Sequence, residues 1–320
     1  MLSIRLISLR NKHFSLKLWM FVFCILAAMV PPCQANDIIK NDLELFNIHV
    51  STQSDTLVEL ARHYRLGYVE LLAANPGVDP WLPGAGTPIT LPNLHLLPDA
   101  PHEGIVINLS EQRLYFYQPN GEVLTMAIGI GRHAWETPTG STRVTRKRKD
   151  PTWFPPPSIR TENPTLPASI GPGLNNPLGE YALDLGWPGY LIHGTNKPYS
   201  IGRRATHGCI RLYPEDIETL FDLADIGAPV HIVDQPVKAA WIEEDLYLEI
   251  HPDQQQSDDI ENGRPTTSAN ADALTLAISN VLSQKDIRGG TLDWSQIREV
   301  ADEMRGIPTK IFTAPIVTTW

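Results

Sequence analysis

The 320-residue sequence predicts a multidomain protein whose largest part is mainly β, of sandwich or barrel type, with a small β-α-α-β unit before it and a helical appendage after it. Three observations carry that expectation. Between Gly104 and Asp234, short alternating β-branched and aromatic runs are separated by proline- and glycine-rich connections, a pattern of many short strands. Between Thr56 and Asn75, apolar residues recur at helical spacing. Beyond Ala273, "ALTLAISNVLSQ" and "DWSQIREVADEMRG" show helical spacing and no residues suggestive of chemistry.

The chain begins with four basic residues and no acid in Met1–Lys17, then 13 unbroken apolar residues, Leu18–Val30, then "PPCQAND". Residues 1–35 are therefore expected to be a secretory signal cut after Ala35; the apolar run is shorter than the ~20 residues that cross a bilayer. Neither Cys24 nor Cys33 follows the small apolar pattern of a lipidation site. If both leave with the signal, Cys209 alone remains of the three cysteines, in a compartment where cysteines normally pair.

Residues 45–93 read as an independent unit. Thr56 precedes a helix with Glu59 at capping-box spacing, and Leu57, Leu60, Ala61 and Tyr64 mark its apolar face. A second helix, "YVELLAAN", stops at Asn75-Pro76 because proline cannot continue it, and the strand-like runs "FNIHV" and "TPITLP" flank the pair. In residues 101–235, "GIVINLSEQRLYFYQPNGEVLTMAIGIG" is a hairpin turning at Pro119-Asn120-Gly121. "STRVT", "YALDLG", "GYLIHG" and "APVHIVD" are further strands, and only "PEDIETLFDLAD" is helical, with Pro214 in its first turn and Gly227 beyond its end. The basic run "RVTRKRKD" is expected to be a solvated loop face. Residues 253–272, polar and nearly free of large apolar side chains, are expected to form a flexible acidic linker, and residues 273–320 a helical segment. The net charge of −10, with 7 Lys/Arg against 14 Asp/Glu after Gln235, excludes a nucleic-acid partner.

The chemistry concentrates in "HGTNKPYSIGRRATHGCIRL", His193–Leu212. A thiol is a strong nucleophile only as the thiolate, which at neutral pH requires a nearby base or cation. His207, two residues before Cys209, shares its face on an extended chain. His193 ends a strand-like run and reaches the sulfur if that strand is a neighbour. The carbonyl of Gly194 is a candidate to hold its Nδ1, leaving Nε2 free to take the thiol proton. Gly208 removes a side chain beside Cys209, so that the two amides can face an oxyanion. Alternatives use the same residues: Cys209 as a packed small hydrophobe, or His193, His207 and Cys209 as zinc ligands. A zinc hydrolase would also require a carboxylate base, and none lies between Leu191 and Tyr213.

"IHGT" followed after ten residues by "THGCIRL" resembles the signature of the YkuD-type L,D-transpeptidase catalytic domain, and the likeness extends through "GIVINLSEQRLYFY" and "TPTG" (Thr137–Gly140). Asp55-Thr56-Leu57, Ala61, Tyr64, Leu71, Asn75-Pro76, Gly84, Ile89 and Leu91-Pro92 resemble the LysM module, which binds peptidoglycan glycan chains. The combination is similar to the periplasmic ErfK/YbiS/YcfS/YnhG group. This resemblance implies a β-rich, cofactor-free enzyme of the periplasm that binds no metal. Cys209 would be its nucleophile, His193 its proton donor and acceptor, and His207 and Gly208 the shapers of the site and oxyanion pocket. Arg211 would bind a carboxylate; Arg203 and Arg204 would meet an anionic substrate, and Thr206 stands where the family more often has serine. The implied donor is a peptidoglycan tetrapeptide stem, attacked at diaminopimelate with loss of D-alanine. The acceptor is the C-terminal lysine of an outer-membrane lipoprotein or a second diaminopimelate. A non-catalytic wall-binding scaffold and an L,D-carboxypeptidase are the competing readings.

Overall fold

The computed structural model describes residues 38–40, 48–285 and 290–313. The expected signal, residues 1–35, and the end of the chain beyond residue 313 lie outside them.

The N-terminal unit contains β1 (Ile38–Lys40), β2 (Ile48–Val50), α1 (Leu57–His63), α2 (Tyr68–Ala74), β3 (Pro88–Thr90) and β4 (Leu94–Leu96). Strand β2 pairs antiparallel with β3, and β1 with β4. Thr56 caps α1, its Oγ1 accepting from the Glu59 amide at 3.1 Å. Leu57, Leu60, Ala61, Leu66, Leu71, Ile89 and Leu91 form the core between helices and strands. Asn75 closes α2 onto β3: its Nδ2 donates to Leu71 O at 2.9 Å and Thr90 O at 2.8 Å, and its Oδ1 accepts from the Thr90 amide at 2.7 Å.

The central domain runs β5 (Gly104–Asn108), β6 (Arg113–Tyr117), β7 (Val123–Gly131), β8 (Gly140–Lys149), α3 (Pro157–Glu162), β9 (Tyr181–Leu185), β10 (Leu191–His193), β11 (Arg204–Thr206), β12 (Ile210–Leu212), α4 (Pro214–Leu223) and β13 (Pro229–Val233). The strand order is β11-β7-β12-β10-β9-β8-β13-β5-β6, and β6 pairs back to β7, so the sheet closes on itself and β11 is appended. Two long strands make the closure possible. The first half of β7 pairs with β6 and its end with β12; the first half of β8 pairs with β13 and its end with β9, across an irregularity between Val144 and Arg146. Inside lie Ile105, Ile107, Leu114, Ile128, Leu183, Ile192, Ile210 and Ile232, joined by Ile217 and Leu220 of α4. The basic run expected to be a loop is β8 itself. Val144 enters the core, whereas of the four consecutive charges Arg146 to Lys149, Arg146 and Arg148 face a cavity and Lys147 and Lys149 lie over the Phe221 and Tyr181 rings on the other side.

After Val233 the expectations need correction. "VKAAWIEEDLYLEI" forms a hairpin, β14 (Val237–Ile242) and β15 (Asp245–Ile250), turning at Glu243, whose φ is 55°. No Asn-Gly or Gly marks that turn, which is why the sequence did not reveal it. The residues expected to be a flexible linker include α5 (Gln254–Glu261), capped by Asp253, which accepts from the Gln256 amide at 2.8 Å. This helix is held by ion pairs, with one apolar side chain, Ile260, on the N-terminal core, so its composition resembles a linker's. The helical appendage is an α+β layer. Helices α6 (Ala271–Ser283) and α7 (Trp294–Glu303) pack on β14 and β15, with β16 (Thr291–Leu292), β17 (Thr309–Lys310) and β18 (Phe312–Thr313) completing it.

The N-terminal unit is bound tightly to the central domain. Arg62 makes a two-pronged ion pair with Glu215 and stands 4.7 Å above the Tyr213 ring, while the Tyr213 hydroxyl donates to Leu66 O at 3.0 Å. At Gly202 (φ +72°) the two backbones touch, and a Cβ there would lie 2.1 Å from the Tyr68 nitrogen. Gly202→Ala is therefore expected to lower stability by about 1–3 kcal/mol in denaturant titration, against near neutrality for Gly171→Ala, where nothing lies within 4 Å of the added carbon.

Candidate active site

Strands β12, β10, β9 and β8 form the floor of a cavity of about 560 Å³. Register explains what lines it. His193 lies opposite Arg211 and Ala182, Leu191 opposite Asp184, and Asp184 opposite Arg146. Because side chains alternate, Ile192, Ile210 and Leu183 enter the core while Leu191, His193, Cys209, Arg211, Asp184, Arg146 and Arg148 face the cavity. The walls are Trp153, Phe154 and Ile159 from the β8–β9 connection, and Trp187 and Tyr190 from the turn before β10.

Cys209 is recessed at the floor, partly accessible, with its thiol donating to Gly189 O at 3.5 Å. His193 is 4 % exposed; its Nδ1 lies 2.6 Å from the Gly194 carbonyl and donates to it, so Nε2 carries the free lone pair. Burial first, and then the charge of Arg211, pushes the imidazole down to about 3, while the bond to Gly194 opposes the shift. Burial pushes the Cys209 thiol up, opposed by the Leu191 amide and by Arg211. At rest the cavity thus holds a neutral thiol and a neutral imidazole. Alkylation of Cys209 by iodoacetamide is expected to rise with pH through an inflection above the 9.0 of an ordinary thiol. A rate plateau reaching down to pH ~4, the mark of a preformed thiolate–imidazolium pair, would contradict this.

Residues 102–232 match the L,D-transpeptidase catalytic domain (YkuD) family. A probable L,D-transpeptidase of Escherichia coli K12, YcfS, is 40% identical over 71% of this chain and 76% of its own length. A second from the same strain, YbiS, is 38% identical over 78% of this chain and 81% of its own. The chain belongs to the L,D-transpeptidase family.

Several residues of this transpeptidase stand elsewhere than the sequence implied. The Gly208 amide, expected to face an oxyanion, donates instead to Thr206 Oγ1 at 3.1 Å. That hydroxyl donates in turn to Cys209 O at 2.7 Å, so Thr206, 1 % exposed, ties the turn together and has no donor left for a substrate. Arg203 and Arg204, expected to meet substrate, are committed to α5. Arg203 stacks 3.8 Å from the Tyr68 ring centre and pairs with Glu261; Arg204 is buried against Asp258 and donates to Gln254 O at 2.9 Å. Their acidic partners lie more than fifty residues downstream, beyond the reach of local reading. His207 lines the cavity, but its Nε2 lies 2.9 Å from Glu162 Oε2 and 3.0 Å from an Arg132 nitrogen. It thereby fastens α3, and the cavity wall that α3 carries, to the turn bearing Cys209. Arg211 is the predicted substrate residue whose guanidinium has no hydrogen-bond or ion-pair partner among the described residues, and it lines the cavity.

Sequence reading missed Thr137. Its Oγ1 donates to Gly208 O at 2.9 Å and accepts from the Gly131 amide at 3.0 Å, joining β7 to the Cys209 turn. Its place in "TPTG" was the available signal. Gly208 itself has φ +95°, and a Cβ there would meet the Tyr190 ring at 3.0 Å, so only glycine suits both the conformation and the space.

Proposed function

We propose that this enzyme performs L,D-transpeptidation through a thioester on Cys209, acting in the periplasm after loss of residues 1–35. The observation that carries the reading is the cavity shared by the Cys209 thiol and His193, whose Nδ1 is engaged by Gly194 so that Nε2 is the base. Nε2 takes the thiol proton as the sulfur attacks the carbonyl at the L-centre of diaminopimelate in a tetrapeptide stem. With Gly208 N–H held by Thr206, the Cys209 amide is the donor left in the turn for the tetrahedral oxygen. Collapse breaks the C–N bond; His193 gives its proton to the departing amine of D-alanine, whose carboxylate meets Arg211. An acceptor amine then attacks the thioester, loses a proton to His193, and frees the sulfur. The acceptor is the C-terminal lysine of an outer-membrane lipoprotein, with a second diaminopimelate giving a 3–3 cross-link as the other amine of the right chemistry. The N-terminal unit would hold the glycan strand as a LysM module, with exposed Trp81 and Leu82 on the loop after α2 offering a stacking surface.

Mass spectrometry of the purified protein with a tetrapeptide muropeptide tests this. An adduct on Cys209 equal to the substrate less D-alanine is expected, and its discharge by added amine faster than by water. An intact Cys209 after full incubation would sink the reading; discharge by water alone would make the enzyme an L,D-carboxypeptidase.

A further inference from the structure

One cluster on the cavity floor has no part in the steps above. Asp184 lies two strands from Cys209 along a single row, Cys209–Leu191–Asp184–Arg146, set by the registers of β10, β9 and β8. At ~4.8 Å per strand its backbone is about 10 Å from that of Cys209. Its carboxylate is shared by two arginines: Arg146 Nε donates to Oδ2, and Arg148 donates to Oδ1 through Nε at 3.0 Å and a terminal nitrogen at 2.7 Å. One carboxylate against two guanidiniums leaves an excess positive charge in the cavity. Both terminal nitrogens of Arg146 and one of Arg148 have no acceptor among the described residues, and a carboxylate has about four lone-pair positions, of which Asp184 has three engaged. All three of these side chains line the cavity that holds the thiol.

We propose that Arg148, Arg146 and Asp184 form a subsite for an amino-acid zwitterion at the far end of the donor's side chain, the ammonium on Asp184 and the carboxylate on the two guanidiniums. This rests on the reading of Cys209 as the acylated nucleophile. The reach fits. A diamino diacid with three methylenes between its two centres spans roughly 7 Å from the attacked carbonyl to the distal carboxylate, at ~1.5 Å per bond along a zigzag. The remaining distance to the Asp184 row is within the length of an arginine or aspartate side chain. The floor thus measures the donor side chain as a ruler would, with the sulfur at one end and paired charges at the other. A side chain ending in an amine alone would satisfy Asp184 and leave the guanidiniums unmet.

Three synthetic tetrapeptides, differing at the third residue, test the subsite: diaminopimelate, diaminopimelate with its distal carboxylate amidated, and lysine. The wild-type enzyme is expected to acylate with kcat/KM about 10- to 100-fold higher for the first than for the other two, the worth of a charge-assisted contact. Arg148→Gln is expected to lower kcat/KM for the diaminopimelate peptide alone and so flatten the series. Arg146→Gln, at a side chain 67% exposed, should flatten it in part. Equal rates for all three peptides in the wild type, or an equal loss on all three in both variants, would overturn the subsite while leaving the thioester reading intact. Failure of all three to acylate Cys209 would instead overturn that reading, and the subsite with it.

Discussion

Replacing His193 by alanine is expected to slow acylation of Cys209 by roughly 10²–10⁴-fold, with little loss of substrate affinity. The imidazole lines the same cavity as the thiol, with one nitrogen fixed on the Gly194 carbonyl, and burial keeps it neutral down to about 3. A neutral base is present throughout the working range, so wild-type acylation should show no inflection near pH 6.5, where an ordinary histidine would titrate. Rates over pH 5–8, measured by loss of D-alanine, check both statements. A clear inflection near 6.5, or an alanine variant within threefold of wild type, would show that the ring does not act as the base. Stability supplies an independent reading of the same burial. The folded pKa is depressed below the unfolded 6.5, so the unfolded chain binds the extra proton first. This contribution is intact above 6.5 and is lost as the pH falls toward about 3. The alanine variant should therefore lose less stability than the wild type between pH 6.5 and 4.

What the sequence could and could not disclose follows from the range of the interactions. Two histidines and a cysteine at fixed separations, on runs of alternating polarity, were enough to bring His193 and Cys209 to adjacent strands, because strand period decides which side chains share a face. The Gly194 carbonyl was accessible to the same reasoning, since it is a neighbour in the chain. Thr206 and Gly208 were misplaced for a subtler reason. Their residue types fit an oxyanion loop, but whether an amide points at a substrate or at a hydroxyl two residues away depends on a φ of +95° that composition does not reveal. Arg203 and Arg204 were misread because a guanidinium beside a nucleophile and a guanidinium bound to a distant helix look alike until the fold brings Asp258 and Glu261 over. Helix α5 was missed for the converse reason: its order comes from those ion pairs and a cap, while periodicity detects only apolar faces.

The largest stability effect is expected at a place the sequence did not mark at all. Where the N-terminal unit, the barrel and the β14–β15 hairpin meet, Lys238 Nζ lies 2.9 Å from a carboxylate oxygen of Glu111 and 2.9 Å from one of Glu249, and all three side chains are shut off from water. Around them Arg113 donates to Glu70 at 2.6 Å, His251 lies 2.6 Å from Glu249, and the buried His95 stands within 3.7 Å of all three acids. The oxygens and nitrogens of His95, Glu111 and Glu249 are close enough to enclose a cation, and the Lys238 ammonium already supplies one to both carboxylates. Lys238→Met preserves the stem and deletes that charge, leaving two adjacent carboxylates in a medium that cannot screen them. Its expected cost is about 3–5 kcal/mol, read from denaturant titration. The pH dependence fixes the cause. In the wild type burial pushes both acids up, but the Lys238 charge together with His251 and His95 outweighs it and holds both below 4.5, so their contribution is present above 4.5 and is lost as the pH falls below it. Without the lysine, burial and mutual repulsion raise both acids, which then favour folding when protonated and oppose it as the pH rises. The deficit of Lys238→Met relative to wild type should consequently be greater at pH 8 than at pH 5. A variant that loses less than about 1 kcal/mol, below the range for an orphaned buried charge, or that loses the same amount at both pH values, would show that the three layers are held together by packing rather than by this ionic knot.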